Sequence, residues 1–214
     1  MENKNYLRII LTGLVAVALV TAVLAINRPG ESEENTALVT GEIPDIDEEE
    51  QSDYKTAIFG VWCFWGPEAR VGVVEGVIRT RVGYQEVKNS TRDETGIKRE
   101  AFEVDYDPEK ISYMELYDII DQTGQIRELH SLGEFVLAER YNQKYHLGNH
   151  EEISEGYREL YPDLDDFVNS TAATRINGFL GGFGTLDSPE DLERLGLTER
   201  GREEVYDVWM SRKR

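Results

Sequence analysis

Cys63 is the only cysteine in this 214-residue chain, and it stands in the run WCFWGPE, residues 62–68. A cysteine acts as a nucleophile in its thiolate form. A strand-to-helix junction favours that form, because unpaired N–H groups and the helix dipole stabilise negative charge. The run TAIFGVW reads as a buried strand leading into Cys63, and Gly66-Pro67-Glu68 opens a helix. Proline suits a first helical turn, where its missing N–H costs nothing, and Glu68 complements the dipole. Phe64 and Trp65 would place flat apolar surfaces beside the thiol. Such surfaces suit a methyl-bearing sulfur group better than an ion, since sulfur packs well on aromatic rings. The competing reading is packing, because free cysteine is among the most buried residue types, and spacing alone leaves both open. One cysteine excludes an intramolecular disulfide and any CxxC zinc site. A redox-active thiol here takes its electrons from an outside reductant.

The elements that must position Cys63 follow from local pattern. Lys55 to Trp62 predicts a first strand and the segment after Gly66 a helix buried through Val71 and Val74. Val77 to Tyr84 predicts a second strand. Ala101 to Tyr106 alternates, with Phe102, Val104 and Tyr106 facing one way and Glu103 and Asp105 the other. Ser112 and Glu115 form a capping box for a helix whose apolar stripe is Tyr113, Leu116, Tyr117 and Ile120. Further on, EFVLAERYNQKYHL predicts a helix. Ser170 caps TAATRING, which Gly178 closes; Ser188-Pro189-Glu190 starts another helix, and Thr198 caps the last. The fold class expected is α/β (α+β), a compact two-layer sandwich with a small mixed sheet and flanking helices.

Composition bounds the rest. The formal net charge of −19 repels phosphates and argues against nucleic acid. Ile9 to Ile26 is an uncharged apolar run of eighteen residues, long enough to span a bilayer as a helix. Lys4 and Arg8 precede it, which orients the N-terminus to the cytoplasm and the remainder outside; a cleaved signal peptide is the rival reading. Residues 29–53 hold ten acidic residues and no basic one, the composition of a flexible, self-repelling tether. The expected organisation is a membrane anchor over 1–28, an acidic linker over 29–53, a domain over 54–184 and a C-terminal helical extension over 185–214. His146 and His150 stand four apart, but Gly148 interrupts them and no third ligand is evident, so no metal is expected.

Several segments, in order, resemble the peptide methionine sulfoxide reductase A family. AIFGVWCFWGPEA resembles its GCFWG nucleophile motif, and GVIRTRVGY the strand after its first helix. TGIKREAFEVDYDPEKISYMELYDII is similar to the family's TGHAEVV…YDP…ISY segment, and FVLAERYNQKY to its F..AE.YHQ.Y element. The resemblance implies that Cys63 attacks the sulfur of a methionine S-sulfoxide, that Phe64 and Trp65 cage the methyl group, and that Glu100, in the place of the HAE acid, protonates the oxygen. S–O cleavage needs that proton, and a carboxylic acid in an apolar pocket can supply it. It implies no cofactor, a sulfenic acid intermediate reduced by an external thiol such as thioredoxin, and oxidised methionine in proteins or peptides as the partner.

Departures accompany the match, among them the missing PTY-type tyrosine after VGY. Trp62 stands for the glycine before the cysteine, Lys98-Arg99 for the HA before the acid, and Asn142 for the histidine of YHQ. No QYR of the family's oxygen-binding D.G.QYRS segment is found between Ile120 and Phe135. Tyr84 and Tyr113 are the candidate substitute donors. The alternative class is a non-catalytic module that binds methionine-rich or oxidised peptides; a peroxide-sensing thiol is a third.

Overall fold

The computed structural model describes residues 37–49, 53–87, 97–127 and 134–213. The predicted span at Ile9–Ile26 lies outside them; among the described residues no helix is long and apolar enough to cross a membrane. The elements run α1 (Asp45–Glu48), β1 (Lys55–Gly60), α2 (Trp65–Gly72), β2 (Val77–Val87), β3 (Ile97–Tyr106), α3 (Tyr113–Asp121), β4 (Phe135–Leu137), α4 (Tyr145–Gly148), α5 (Glu151–Leu160), α6 (Leu164–Asn169), α7 (Thr171–Leu180) and α8 (Glu199–Arg212). Short 3₁₀ turns occupy Arg140–Asn142 and Pro189–Leu195.

The strands form one sheet in the order β1-β3-β2-β4, and every neighbouring pair is antiparallel. The mixed sheet expected from strand–helix–strand is thereby corrected. β1 and β2 do run the same way, as a crossover through α2 requires, but β3 folds back from β2 and inserts between them. This split βαβ arrangement leaves no parallel neighbours. Phe102 of β3 sits opposite both Phe59 and Val82, and its ring centroid lies 5.6 Å from that of Phe59. With Val61, Phe64, Val71, Val104, Leu116 and Ile120 these side chains form one core under α2 and α3. The predicted alternation on β3 holds: Glu103 and Asp105 turn the other way and pair with Arg79 and Arg81. The Ser112–Glu115 capping box of α3 is present.

A second core belongs to the helices. Leu147, Tyr157, Ala172, Ile176 and Leu180 pack with Leu192, Val205 and Trp209, so residues 185–213 share the core of the helices before them. Gly178, expected to close α7, lies inside it. A Cβ there would stand 2.5 Å from the Ala69 carbonyl oxygen, so the glycine is required by the close approach of α7 to α2. Arg175, on the same helix, donates to the carbonyls of Gly72, Val74 and Val77. It satisfies acceptors that the end of α2 leaves open. Burial pulls its pKa down to about 10.

Two further expectations change. The acidic stretch expected as a free spacer is, from Ala37 to Glu49, built into the helical layer. Leu38 and Val39 are buried, and Val39 bridges Leu197. Asp47 accepts from the N–H groups of Thr171 and Ala172, and from the hydroxyls of Ser170 and Tyr161. A carboxylate on the first turn of α7 is favourable twice over, through its bonds and through the dipole. Composition identified the charge but not the two apolar anchors within it.

EFVLAERYNQKYHL is not one helix: it makes β4, a 3₁₀ turn and the start of α4. Its polar side chains are needed inside. The Gln143 amide bonds both backbone groups of Val82 and the Ala138 carbonyl, at 2.8–3.0 Å, serving as a sheet partner where β4 has ended. Lys144 takes a left-handed backbone, φ 50°, and is wholly buried. Its ammonium meets Glu68 Oε1 at 3.2 Å, Thr80 Oγ1 at 2.9 Å, and the Thr80 carbonyl. Burial holds the Lys144 pKa below its ordinary value, and Glu68 offsets only part of that shift.

Candidate active site

Cys63 lies between β1 and α2, half-buried, where the chain leaves the sheet. Both sides of this exit are pinned. The N–H of Val61 donates to the Glu100 carbonyl at 3.0 Å, and that of Trp62 to the Gln125 carbonyl at 2.9 Å. One residue past the cysteine, the N–H of Phe64 donates to Glu100 Oε2 at 3.1 Å. Glu100 is thus held at its backbone and at its carboxylate by the residues that flank Cys63. The predicted acid and nucleophile are brought together by β3 inserting beside β1. In the sequence they stand 37 positions apart.

The aromatic pair surrounds the same point. Phe64 is buried, with its ring edge-on to Trp65 at 6.2 Å and to Tyr84 at 6.1 Å. Trp65 is stacked on Tyr145, 3.9 Å between centroids and 11° from parallel. That stack fixes the indole plane, and the Trp65 Nε1 has no hydrogen-bond partner. Tyr84 lies opposite Glu100 across the β2–β3 ladder. Its hydroxyl donates to Glu139 Oε2 at 3.3 Å, and Asn142 Nδ2 donates to the same oxygen at 3.0 Å. Burial, then the Glu139 charge, raises the Tyr84 pKa, so the phenol keeps its proton as a donor. Glu139 is held below the usual carboxylate range, chiefly by a bond from its own backbone N–H.

Tyr113 is not part of this cluster. Its ring stacks on Phe59 at 5.2 Å, and its place on α3 is explained by that contact. Sequence reasoning missed Glu139 and Tyr145, although both lie in the FVLAERYNQKY segment already singled out. The helix predicted there hid them, because it assigned their side chains the wrong directions. The segment Gln125-Ile126-Arg127 also gains a role: it pairs with Gly60–Trp62 at the edge of the sheet. It differs from QYR by one residue, with Ile126 in the tyrosine's place and packed on the core. The Arg127 guanidinium lies 4.0 Å over the exposed Trp62 ring. His146 and His150 gather no third ligand; among the described residues no cluster could hold a metal.

Comparison with known proteins decides the family. A family profile described as peptide methionine sulfoxide reductase matches residues 55–129, the stretch that carries Cys63, Phe64, Trp65, Tyr84 and Glu100. A peptide methionine sulfoxide reductase of Drosophila melanogaster is 30% identical over 196 residues, covering 71% of this chain and 78% of its own. The chain belongs to the peptide methionine sulfoxide reductase family. An MsrA of Methanothermobacter thermautotrophicus is 40% identical over 74 residues, 32% of this chain and 44% of the archaeal one. An MsrA of Pelagibacter ubique is 31% identical over 106 residues, 46% and 72% of the two chains. The crystal structure of Mxr1 from Saccharomyces cerevisiae in an unusual oxidised form is 18% identical and covers 54% of this chain and 71% of its own. Its TM-score is 0.28.

Proposed function

We propose that the chain reduces methionine-S-sulfoxide in proteins or peptides, with Cys63 as nucleophile and Glu100 as acid. The observation that carries this reading is the Glu100 carboxylate bonded to the N–H of Phe64, beside Cys63. Cys63 attacks the sulfoxide sulfur while Glu100 delivers a proton to the oxygen. The oxygen passes to the cysteine sulfur, the S–O bond to the substrate breaks, and methionine leaves. The substrate sulfur gains the two electrons that Cys63 loses, leaving a sulfenic acid. Two equivalents of an external thiol then return Cys63 to the thiol and release water and a disulfide. This chain carries no second cysteine to do so internally.

Phe64 and the stacked Trp65 supply the apolar walls for the methyl group, and Tyr84, opposite Glu100 on the neighbouring strand, is the hydroxyl donor we assign to the sulfoxide oxygen, exchanging its bond to Glu139 for it. Protonation of the oxygen is the step general acids accelerate, by about 10²- to 10⁴-fold. The test is turnover of each sulfoxide epimer of a blocked methionine with dithiothreitol as reductant. The S epimer is reduced, the R epimer is not, and Glu100→Gln lowers kcat by about a hundredfold or more. Equal rates for the two epimers, or a Glu100→Gln rate near wild type, removes these assignments. Binding of the sulfoxide without any turnover supports the binding-module alternative, for which Ile126 in the tyrosine's place is the motivating observation.

The same reading places the domain outside the cytoplasm, tethered by Ile9–Ile26. Its support is the apolar run and the preceding Lys4 and Arg8. Alkaline extraction of membranes leaves the full chain in the pellet under this proposal; release into the supernatant overturns it.

A further inference from the structure

The segment that completes the active site also floors a groove of about 460 Å³ on the α4–α5 side of the molecule, within the range that receives ligands. Its walls include Tyr145, Tyr141, Phe167, Asn149, Arg140 and Arg158. Two links join it to the cysteine site. Tyr145 is the ring stacked on Trp65. Tyr141, three-quarters exposed, stands two residues after Glu139, the acceptor of the Tyr84 hydroxyl.

The charge of the groove is opposite to that of the protein. The chain carries −19, yet no carboxylate is among the described residues that line this surface, and two arginines are. Arg140 is set in place by a bond from Nη2 to the Pro162 carbonyl and by the Phe167 ring 5.7 Å away. Arg158 is exposed on α5 and makes no ion pair among the described residues. Glu139, next to Arg140 in the chain, accepts from Tyr84 and Asn142.

Resting on the reductase reading, we propose that this groove receives the polypeptide flanking the oxidised methionine and selects segments that carry acidic side chains there. The field of the whole chain favours basic peptides, so local and global charge make opposite predictions and can be separated.

The experiment uses the full chain and three nine-residue peptides with a central methionine S-sulfoxide and flanks that are glutamate-rich, neutral or lysine-rich. A blocked methionine sulfoxide without flanks is the reference. One exposed and one half-buried arginine, each gaining a charge pair, predict a kcat/KM for the acidic peptide about fivefold above the neutral one, with the gap closing in about 0.5 M salt. Arg158→Glu inverts the ratio of acidic to basic peptide. Fluorescence anisotropy with the unoxidised peptides reads the same order in Kd, so the preference is measured whether or not turnover occurs. Failure to reduce the blocked sulfoxide strikes the reductase reading alone. A preference for the basic peptide in both assays, or an unchanged ratio in Arg158→Glu, overturns the groove.

Discussion

Lys144→Met tests how the site is held. Lys144 and Glu68 are both wholly buried, 3.2 Å apart. At an effective dielectric of 20 two charges at that distance attract by about 5 kcal/mol, much of it offset by desolvation. Removing the ammonium leaves Glu68 inside without its partner. Its Oε2 already lacks one, and Oε1 keeps only the Thr80 hydroxyl at 3.1 Å. Breaking a buried pair from one side costs about 3–5 kcal/mol. That is a large share of a typical folding free energy of about 5–15 kcal/mol. Glu68→Leu with Lys144→Met leaves no stranded charge. It loses the bond to the Thr80 carbonyl, and costs about 1–2 kcal/mol. Urea unfolding followed by circular dichroism measures both. A single variant that costs less than about 1 kcal/mol, or a double variant that costs the sum of the two singles, refutes the claim that this pair joins α2 to the turn before Tyr145.

Tyr84→Phe removes the donor opposite Glu100 and lowers kcat/KM about tenfold or more, whereas Tyr113→Phe, on the Phe59 stack, stays within a factor of two; steady-state rates with the S epimer decide between them. Gly178→Val pushes side-chain atoms into the Ala69 carbonyl and Val73 and costs at least about 1–3 kcal/mol in urea unfolding. His146 carries a pH effect. Burial, then the Arg212 charge, pulls its pKa from 6.5 to about 4. The unfolded chain therefore binds more protons between those values, and stability present at neutral pH is lost as the pH falls from 6.5 toward 4. Replacing His146 by phenylalanine, which keeps a ring against Tyr145 and Phe183, flattens the difference between melting temperatures at pH 7 and pH 5.

Cys63, Phe64, Trp65 and Glu100 were legible as candidates because each stands in a short segment that resembles the family's: CFWG at a strand-to-helix junction, and the alternating strand that ends in YDP. Strand order was not. Nothing in VIRTRVGY or AFEVDY states that β3 enters between β1 and β2, since pairing is a choice among distant partners. The helix expected over EFVLAERYNQKYHL failed for a related reason. Helical spacing in that segment is real, but Gln143 and Lys144 gain more from backbone groups of β2 and from Glu68 than from an exposed helix face. Glu139 and Tyr145 were lost with it. The packing of residues 37–49 was hidden by their charge, because two apolar residues and one capping carboxylate at Asp47 outweigh a composition that reads as a tether.

The central claim is that Cys63 itself takes the oxygen. A single-turnover reaction of the reduced chain with excess blocked methionine S-sulfoxide, without added reductant, tests it directly. The account predicts one methionine formed per chain, with loss of one Cys63 thiol and a sulfenic acid trapped by dimedone at that residue. Methionine formed with the Cys63 thiol intact, or by Cys63→Ser, would contradict it.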